Sequence, residues 1–452
     1  MSQPEQNTRS ESPSTSPLNH GPSPTALVLA VSGAVAFAIM GDSLLYAILP
    51  LAAGGLALSP RHVGLLLSAN RLIRLFSNTW LSALFARFGP YRTFVYSAIL
   101  GVLTTAAYGL GWGFTVFLIA RMGWGISWSG LRQGTFQSIW TGRDTDAGRL
   151  MGIMWGVVRG GSAVSAVLGG FLFDHYGYEV TIWSIVGLSA LAIPIALVLS
   201  WPASASPESK GESSGSAENP HSGGQEDGED LPTSKPNILQ SWKVALTDPM
   251  QRSVLLVGFF KLLLNSILVA TASVFLADNF GSRSGGIPLG LEVGAMTGIV
   301  LGTRWFSDLF LGAAMGALAD WIGRIRLTIV LVSLLCLGLA AMLWIQSSLS
   351  IVALLAVLIV STGVNVVLDA YANQAALETP QPQLFVGAYA TASDLGSAVG
   401  PLFAFSLVSA IGFAPVYGVA ALLVVVTVSN LVTLDLRLAR QKAVEERAMS
   451  RK

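Results

Sequence analysis

The residues GALADWIGRIR at 316–326 follow a long apolar run, and a degraded copy, SALFARFGPYR, stands 234 residues earlier at 82–92. A second pattern repeats at nearly the same distance: GSAVSAVLGG at 161–170 is matched by GSAVGPLFA at 396–404, which begins 235 residues later. Two unrelated patterns at almost one offset indicate a duplication, because chance matches would not preserve the distance. The sequence therefore predicts two similar halves.

The apolar character of the chain indicates a membrane protein. Hydrophobic residues make up 52% of the 452 residues and charged residues only 11%, whereas soluble domains contain about 25% charged residues. A helix needs about 20 apolar residues to cross a bilayer, and barrel strands alternate over only about 10 residues. We therefore expect an all-α membrane protein with twelve transmembrane helices in two six-helix repeats. The predicted spans are 26–50, 63–86, 94–113, 115–140, 150–173, 180–201, 253–278, 293–319, 327–347, 350–374, 384–410 and 413–435.

The distribution of Lys and Arg predicts the orientation. With a cytoplasmic N-terminus, the loops and tails on the cytoplasmic side contain most of the basic residues outside the spans, and the opposite loops contain only Arg61 and Arg283. Cytoplasmic segments carry such an excess. We therefore expect both termini in the cytoplasm and a multi-pass protein of the plasma membrane, the inner membrane of a bacterium.

The polar stretch 202–249 divides the chain. It is rich in Ser, Gly, Pro and Glu, so it cannot bury enough apolar surface to order itself. We expect a cytoplasmic linker here. The predicted organisation is a disordered cytoplasmic tail at 1–25, a six-helix bundle at 26–201, the linker at 202–249, a second six-helix bundle at 250–435 and a basic cytoplasmic tail at 436–452.

Residues 316–326 resemble the loop motif G-x-L-x-D-R-x-G-R-R/K of the major facilitator superfamily, with Trp321 in place of the first Arg. The resemblance extends over all twelve spans and implies alternating access between the two halves. It also implies that Gly316 lets helices approach closely and that Asp320 contacts a neighbouring helix end. A gating role is implied for Arg87, Gly89, Gly316, Asp320, Gly323 and Arg324.

Two further patterns resemble functional motifs of the same family. The spacing Arg121-x-x-x-Gly125-x-x-x-Ser129 is similar to a fourth-helix motif that is linked to proton coupling. The exporter-type pattern of the fifth span is only partly present, because Ser165 and Ala166 replace Gly and Pro. The resemblance therefore implies proton coupling and favours efflux.

Charged residues inside the predicted spans are the candidate functional groups, since each costs about 3 kcal/mol at a helix centre. The basic ones are Arg71, Arg74, Arg121, Arg132, Arg159, Lys261 and Arg304, and the acidic ones are Asp42, Asp308, Asp369 and Asp394. Distances from the span ends place Asp42, Arg71 and Arg121 at one level towards the outer side. They place Arg132, Arg159 and Lys261 at a second level near the midplane.

Two of these groups of charges predict ion pairs. Asp42 and Arg121 are at matching depth, and their pair is either structural or a proton-linked switch. Arg304 and Asp308 are one helical turn apart and are predicted to pair with each other. Asp369 lies near the inner end of its span and is expected to contact water.

The midplane level contains Arg132, Arg159 and Lys261 and no predicted acidic partner. Unpaired cations are unstable in hydrocarbon, so these residues need a water-filled cavity or an anionic solute, and Lys261 could also lose its proton. Guanidinium groups bind carboxylate and phosphate in bidentate fashion. These three residues, together with Arg71 and Arg74 on one helix face, are predicted to bind the solute, and pairing with helix carbonyls is the alternative.

The sequence thus predicts a secondary active transporter for a small organic solute, with protons as coupling ion and Asp42 and Arg121 as the ion-coupling pair. The alternatives are a broad-specificity drug/proton antiporter and a membrane sensor that does not transport. An enzyme is not expected, since the chain has no nucleotide-binding Gly-rich loop with Lys and its four His lie in tails or loops. No catalytic residue, metal, cofactor or nucleic-acid partner is expected. We expect the protein to be a monomer in the lipid bilayer.

Overall fold

The computed structural model describes residues 23–140, 146–201, 246–281, 290–345, 347–377, 379 and 382–449. Most of the predicted N-terminal tail and of the linker 202–249 lies outside these residues. The described chain is helical and contains no strand. Its helices are α1 (Pro24–Ala38), α2 (Met40–Ala52), α3 (Pro60–Leu72), α4 (Arg74–Phe88), α5 (Pro90–Tyr108), α6 (Gly113–Ile139), α7 (Ala147–Ala190), α8 (Ala192–Leu197), α9 (Pro249–Phe280), α10 (Val293–Ile322), α11 (Arg324–Trp344), α12 (Leu349–Leu377), α13 (Pro382–Ile411) and α14 (Phe413–Met449).

Each predicted span corresponds to helix in the structure, but several spans are divided. The first consists of α1 and α2, which meet at Ile39, and the second consists of α3 and α4, which meet at Ile73. The fifth and sixth form α7 and α8, and α7 is broken at Gly177, where φ is 74°. A positive φ is readily adopted by glycine, so the chain can turn back there between two antiparallel spans.

Seven segments of the described chain are long and apolar enough to cross a membrane by composition alone. The fifth and sixth spans together form one of them, Gly148–Leu197. The second, third, fourth and eighth predicted spans are helices that are not among the seven. They contain many of the charged and hydroxyl side chains that the bundle buries, such as Arg121, Arg304 and Thr105, and these lower their hydropathy.

Side-chain caps fix where two helices of the bundle begin. Ser59 Oγ accepts from the backbone N–H of His62 at 3.3 Å, and the His62 ring accepts from the Ser59 N–H at 3.4 Å, so the two residues form a capping box before α3. The carboxylate of Asp248 accepts from the N–H groups of Met250 and Gln251 and caps α9. The helices α3 and α9 carry several of the candidate site residues.

The two sequence copies of the loop pattern have the same backbone geometry. Gly89 ends α4 with a φ of 80°, and Gly323 ends α10 with a φ of 89°. Side chains disfavour this left-handed region, so glycine is needed at both positions. The two copies of the repeat therefore share a helix end, at which the chain turns towards the next span.

The second repeated pattern also forms equivalent contacts. A Cβ at Gly161 in α7 would lie 2.3 Å from the carbonyl oxygen of Ala36 in α1, and a Cβ at Gly396 in α13 would lie 2.0 Å from that of Phe259 in α9. In both halves, therefore, the fifth helix of the repeat touches the backbone of the first. Ser165, which replaces a glycine of the exporter pattern, donates to the carbonyl of Met40 at 2.5 Å.

The halves meet where α7 packs on α10 and α3 packs on α13. We name the membrane side on which α1 begins the terminal side and the opposite side the far side. Close backbone contacts join the halves towards the far side: a Cβ at Gly170 would lie 2.2 Å from the carbonyl of Gly294, and one at Gly64 would lie 2.8 Å from that of Pro401. The carboxylate of Asp174 also accepts from the N–H groups of Gly294 and Ala295, so it caps α10 across the interface.

On the terminal side the helices pack mainly within their own halves. Helix α4 packs on α3, α5 and α6, and α12 packs on α9, α10, α11 and α13. Large side chains at the terminal ends of α4 and α10, Phe88 and Trp321, are exposed. The space between the halves is therefore closed towards the far side and open towards the terminal side.

Candidate functional site

A buried ion pair joins α2 to α6. Arg121 Nη1 lies 2.5 Å from Asp42 Oδ1, and the Arg121 side chain is 0% exposed against 13% for Asp42. The same carboxylate oxygen accepts from Asn70 Nδ2 at 2.9 Å, and Arg121 Nε donates to the carbonyl of Leu66 at 2.9 Å. The two residues predicted as the coupling pair are thus in direct contact, inside the N-terminal half.

Arg71 connects the two halves. Its Nη1 donates to the carbonyl of Ser397 at 2.8 Å and to the hydroxyl of the same residue. Its guanidinium lies 5.3 Å from the centre of the Tyr46 ring. Arg74, one turn further along, donates instead to the carbonyl of Asn70 at 3.1 Å. The two arginines therefore have different partners, and only Arg71 contacts α13 by a hydrogen bond.

Arg74 also lies within electrostatic range of Asp394, Arg71 and Arg132. Neither Asp394 nor Arg132 forms a salt bridge within 4.0 Å inside the described part of the chain. Both side chains are only partly buried. They are therefore accessible charges next to Arg74.

The one-turn spacing predicted a pair of Arg304 with Asp308, and the structure does not contain this pair. Asp308 Oδ2 lies 3.3 Å from Nε of Arg159, which belongs to α7 of the other half. Arg304 Nη2 instead donates to Asn265 Oδ1 at 3.3 Å. The spacing rule considers only one helix, and here neighbouring helices offer partners at the same height.

Lys261 has an acidic partner, contrary to the prediction that its level contains none. Its Nζ contacts Asp369 Oδ1 and donates to the carbonyl of Asn365 at 3.1 Å. Tyr389 donates to the same carboxylate oxygen at 2.6 Å. Lys261 is 2% exposed and Asp369 is 55% exposed, so the carboxylate is solvated on one side. Helix α12 continues to Leu377, past the predicted end at 374, and this places Asp369 deeper than expected.

Besides the Asp42–Arg121 and Lys261–Asp369 pairs, seven charged residues of the spans lie around the junction of the halves. Arg74 interacts electrostatically with Asp394, Arg71 and Arg132, and Arg304 with Asp308, Arg159 and Arg71. The seven therefore form one connected group with an excess of three positive charges, which we name the charge belt. Its members are Arg71, Arg74, Arg132, Arg159, Arg304, Asp308 and Asp394.

The remaining predicted gating residues lie at the terminal ends of α4 and α10. Arg324 Nη1 donates to Gln374 Oε1 at 2.5 Å. Asp320 is exposed and forms no salt bridge to any described residue. In this conformation Asp320 therefore has no ionic partner among the described residues that would hold it at a neighbouring helix end.

The surroundings of Arg87 and Gly316 are also unlike those expected in a closed gate. The Arg87 guanidinium lies 5.3 Å from the centre of the adjacent Phe88 ring and is exposed. The close helix approach expected at Gly316 is wrong for this structure, since no atom outside the helix lies within 4 Å of a Cβ built there. Both residues lie on the side where the halves are apart.

Several polar partners of the site residues and of the interface were missed by the sequence reading, which considered only charges inside the predicted spans. They are Asn70, Asp174, Asn265, Tyr389 and Ser397. A signal for one of them was present: Asn265 lies one turn from Lys261, so both point the same way from α9. Among the described residues no group of three or more His, Cys, Asp or Glu side chains is placed to hold a metal ion.

Two six-helix halves that enclose charged residues at their junction define a multi-pass membrane protein with a transporter fold. A family model of the Major Facilitator Superfamily matches residues 31–401. The chain belongs to this family. Comparison with curated protein sequences gives no match.

Solved structures of transporters share the fold. A bacterial homolog of the human lysosomal transporter Spinster, in an inward-facing and unoccupied conformation, is 16% identical with a TM-score of 0.63, over 91% of this chain and 96% of that one. The nucleoside transporter NupG is 13% identical with a TM-score of 0.68, over 91% and 99% of the two chains. A point mutant of NupG is 12% identical with a TM-score of 0.71 over the same shares. At these identities the similarity concerns the fold.

Proposed function

We propose that the protein is a secondary active transporter of a small organic anion, which it moves by alternating access between its halves. In this proposal the protein is a monomer in the plasma membrane with both termini in the cytoplasm, and transport is efflux coupled to protons. The terminal side is then the cytoplasmic side, and the described arrangement is inward-facing.

The observation that carries the anionic substrate is the excess positive charge of the charge belt. Its five arginines face only two aspartates, and just one of the arginines, Arg159, forms a salt bridge within the described chain. Membrane-embedded charges usually mark a substrate or ion pathway. An arginine stays protonated at any physiological pH, so a negatively charged solute is the partner that compensates the excess. Arg71, Arg74, Arg132 and Arg159 are the proposed solute-binding residues.

Lys261 has a weaker claim to solute binding than the arginines. It is nearly fully buried and already contacts Asp369. A solute group would reach Lys261 only when Asp369 moves or becomes neutral. We therefore assign Lys261 an indirect part in the site. Its ammonium group stays paired with Asp369 unless a solute anion competes for it.

Proton coupling is proposed for Asp42 and Arg121. A proton on Asp42 removes the charge that holds Arg121 Nη1 at 2.5 Å and frees the network that joins α2, α3 and α6. The pair lies towards the far side, which is closed. Asp42 would therefore exchange its proton with the external solution only after the far side opens, as coupling to alternating access requires.

The direct test is the single replacement Arg132→Gln. Arg132 is accessible and has no salt bridge among the described residues, so its loss should leave the fold intact and weaken anion binding at least about tenfold, since a hydrogen bond to a charged group contributes about 1.5–3 kcal/mol. Binding of labelled organic acids and of the cationic dye ethidium is measured on purified protein, with flux into proteoliposomes. Arg61→Gln, an exposed arginine before the second span, is the control and should change neither.

The same measurements separate the alternatives. Loss of ethidium transport with unchanged acid binding would contradict the anionic substrate and favour a broad-specificity drug/proton antiporter. Binding without flux, at any gradient, would indicate a sensor. Anion flux that is lowered in Arg132→Gln and unchanged in Arg61→Gln supports the proposal.

A further inference from the structure

Polar side chains from α9, α10 and α12 form two rungs inside the C-terminal half. In the far-side rung, Asn265 Oδ1 accepts from Arg304 Nη2 at 3.3 Å and from Ser361 Oγ at 3.4 Å. The second rung lies four residues along each helix, about 6 Å towards the terminal side. We name this arrangement the polar ladder. Its members are Asn265, Arg304, Ser361, Lys261, Asp308 and Asn365.

The polar ladder faces the junction of the halves. Asp308 contacts Arg159 of α7, which belongs to the other half. Along α12, polar residues recur every fourth position on one face, whereas most of the remaining helix is apolar. Such a stripe would be costly against lipid tails, so it faces protein and the space between the halves. Its members are Ser361, Asn365, Asp369 and Asn373.

Three buried polar atoms of the ladder have no hydrogen-bond partner among the described residues: Arg304 Nε, Asp308 Oδ1 and Asn365 Oδ1. Arg304 is only 6% exposed. Buried polar atoms in proteins are nearly always paired, because an unpaired one destabilises the fold. One of the three is a cationic donor and two are acceptors, so the complementary molecule offers one negatively charged oxygen and at least two hydrogen-bond donors.

The charge of the neighbouring groups selects the type of donor. Hydroxyl and ammonium groups could both donate to Asp308 and Asn365. The charge belt, however, has three positive charges in excess, which repel an ammonium group in this low-dielectric region. Hydroxyl groups carry no charge and avoid this repulsion. The complementary solute is therefore an acid with several hydroxyl groups.

We propose that the polar ladder is the part of the solute site that recognises a polyhydroxylated organic acid, with Arg304 binding the acid oxygen and Asn365 and Asp308 accepting from hydroxyl groups. This inference rests on the proposed function, since it names the class of anion that is carried. The acid group is a carboxylate or a phosphate, which Arg304 would bind in the same way. Aliphatic acids and lipophilic drugs lack the hydroxyl donors.

The test compares matched acids with and without hydroxyl groups. Gluconate is paired with hexanoate, and ribose 5-phosphate is paired with pentyl phosphate. Binding to the purified full-length protein in detergent is measured by titration calorimetry. We expect the hydroxylated member of at least one pair to bind at least about tenfold more tightly than its partner, because several hydrogen bonds depend on it. The pair that binds shows whether the acid is a carboxylate or a phosphate.

Two variants assign this preference to the ladder. Asn365→Leu keeps the volume and removes one of the two acceptors, so it should clearly reduce the preference for the hydroxylated acid, and Asp308 retains the remainder. Arg304→Gln should weaken both members of the pair. Asn373→Leu, on the same face of α12 but exposed and outside the ladder, is the control and should retain the full preference. Thermal unfolding of each variant checks that the fold is intact, and the comparison of acids on the unmodified protein needs no variant.

The outcomes separate the two proposals. Equal affinity for hydroxylated and hydroxyl-free acids would overturn the ladder proposal and leave an anion transporter. An Asn365→Leu protein that keeps the full hydroxyl preference would overturn it too. Absence of binding by all four acids, with binding of ethidium, would overturn the proposed function and the ladder together.

Discussion

Within the described residues, each half of the molecule contains one ion pair between its own helices, and the two pairs differ in their access to solvent. In the N-terminal half, Arg121 is fully buried and Asp42 nearly so, and Asn70 supplies a further hydrogen bond. In the C-terminal half, Lys261 is just as buried, but more than half of the Asp369 side chain is exposed. Both pairs join helices of the same half. A movement of one half against the other therefore leaves the pairs intact and changes only which solution reaches them.

The difference follows from the side on which the halves are apart. Asp42 lies towards the far side, where Gly170 and Gly294 are in close contact and Asp174 caps α10. Asp369 lies on the part of α12 that leads to the open terminal side. In this conformation the C-terminal pair can respond to the solution on the terminal side, whereas the N-terminal pair is nearly buried, with Asp42 13% exposed. A carboxylate that is isolated in one conformation and reached in the other has the property that a coupling site needs.

The largest expected effect is that of Asp42→Asn. The amide keeps an oxygen that can accept from Arg121 but cannot carry a proton, so accumulation of solute against its gradient should fall to background while exchange of solute at equilibrium continues. Proteoliposomes with an imposed proton gradient measure both. Asp278→Asn, an exposed acid at the far end of α9, is the control. Uphill transport by Asp42→Asn at the unmodified rate would show that the coupling site lies elsewhere.

A second effect concerns the stability of the two pairs. Arg121→Gln leaves the nearly buried Asp42 without a counterion, which should cost about 3–5 kcal/mol. Lys261→Gln leaves Asp369 half solvated and still bonded to Tyr389, so screening by water should limit the loss to about 1 kcal/mol or less. Thermal unfolding in one detergent compares the two variants. Equal losses would mean that the protein encloses the two pairs to the same extent.

Access itself can be measured with single cysteines in a Cys336→Ser background, which removes the native thiol of the chain. Asn373→Cys lies on the polar face of α12 near the terminal side, and Ser43→Cys lies beside Asp42 and is buried. Without solute, a membrane-impermeant maleimide added on the terminal side should label the first several times faster than the second. Faster labelling of Ser43→Cys would show that the solution on the terminal side reaches the surroundings of Asp42, so that the N-terminal pair is the more accessible of the two.

The fold could be predicted from the sequence because its main determinants are local. Apolar runs of the length of a bilayer define spans without knowledge of their neighbours, and the repeat at 316–326 and 82–92 gives the two halves. The kinks at Ile39 and Ile73 were not predicted, since no proline or glycine stands at either position to mark them.

The site could be predicted only in part. Asp42 and Arg121 were matched by depth, because both lie well inside their spans and small errors in the ends do not matter. The depth estimate did not predict the pair of Lys261 with Asp369, because the predicted end of this span was three residues too early. Partners that depend on which helices adjoin, such as Asp308 with Arg159 of the other half, follow from tertiary packing, which a single sequence does not contain.

The smallest expected effects concern Asp174 and Asp320, two aspartates that we expect to stabilise opposite conformations of the transporter. Asp174 caps α10 across the far side at 2.6 and 3.0 Å, whereas Asp320 on the terminal side has no ionic partner among the described residues. A charged helix cap contributes about 0.5–2 kcal/mol, and that energy counts only in the conformation in which the cap is formed. Asp174→Ala should therefore favour the far-side-open state, and Asp320→Ala the terminal-side-open state, each by about thirtyfold at most.

Spin labels at Ala83 in α4 and Val386 in α13 report the opening of the terminal side, because both residues are exposed and belong to different halves. The distribution of distances between them, measured by pulsed electron resonance, should shift to shorter values in Asp174→Ala and to longer values in Asp320→Ala. Since the unmodified protein is already open on the terminal side, the second shift should be the smaller and should become clear only in the presence of a solute that closes this side. Shifts in the same direction would show that the two aspartates do not stabilise opposite conformations, and the gating role of Asp320 would then be refuted.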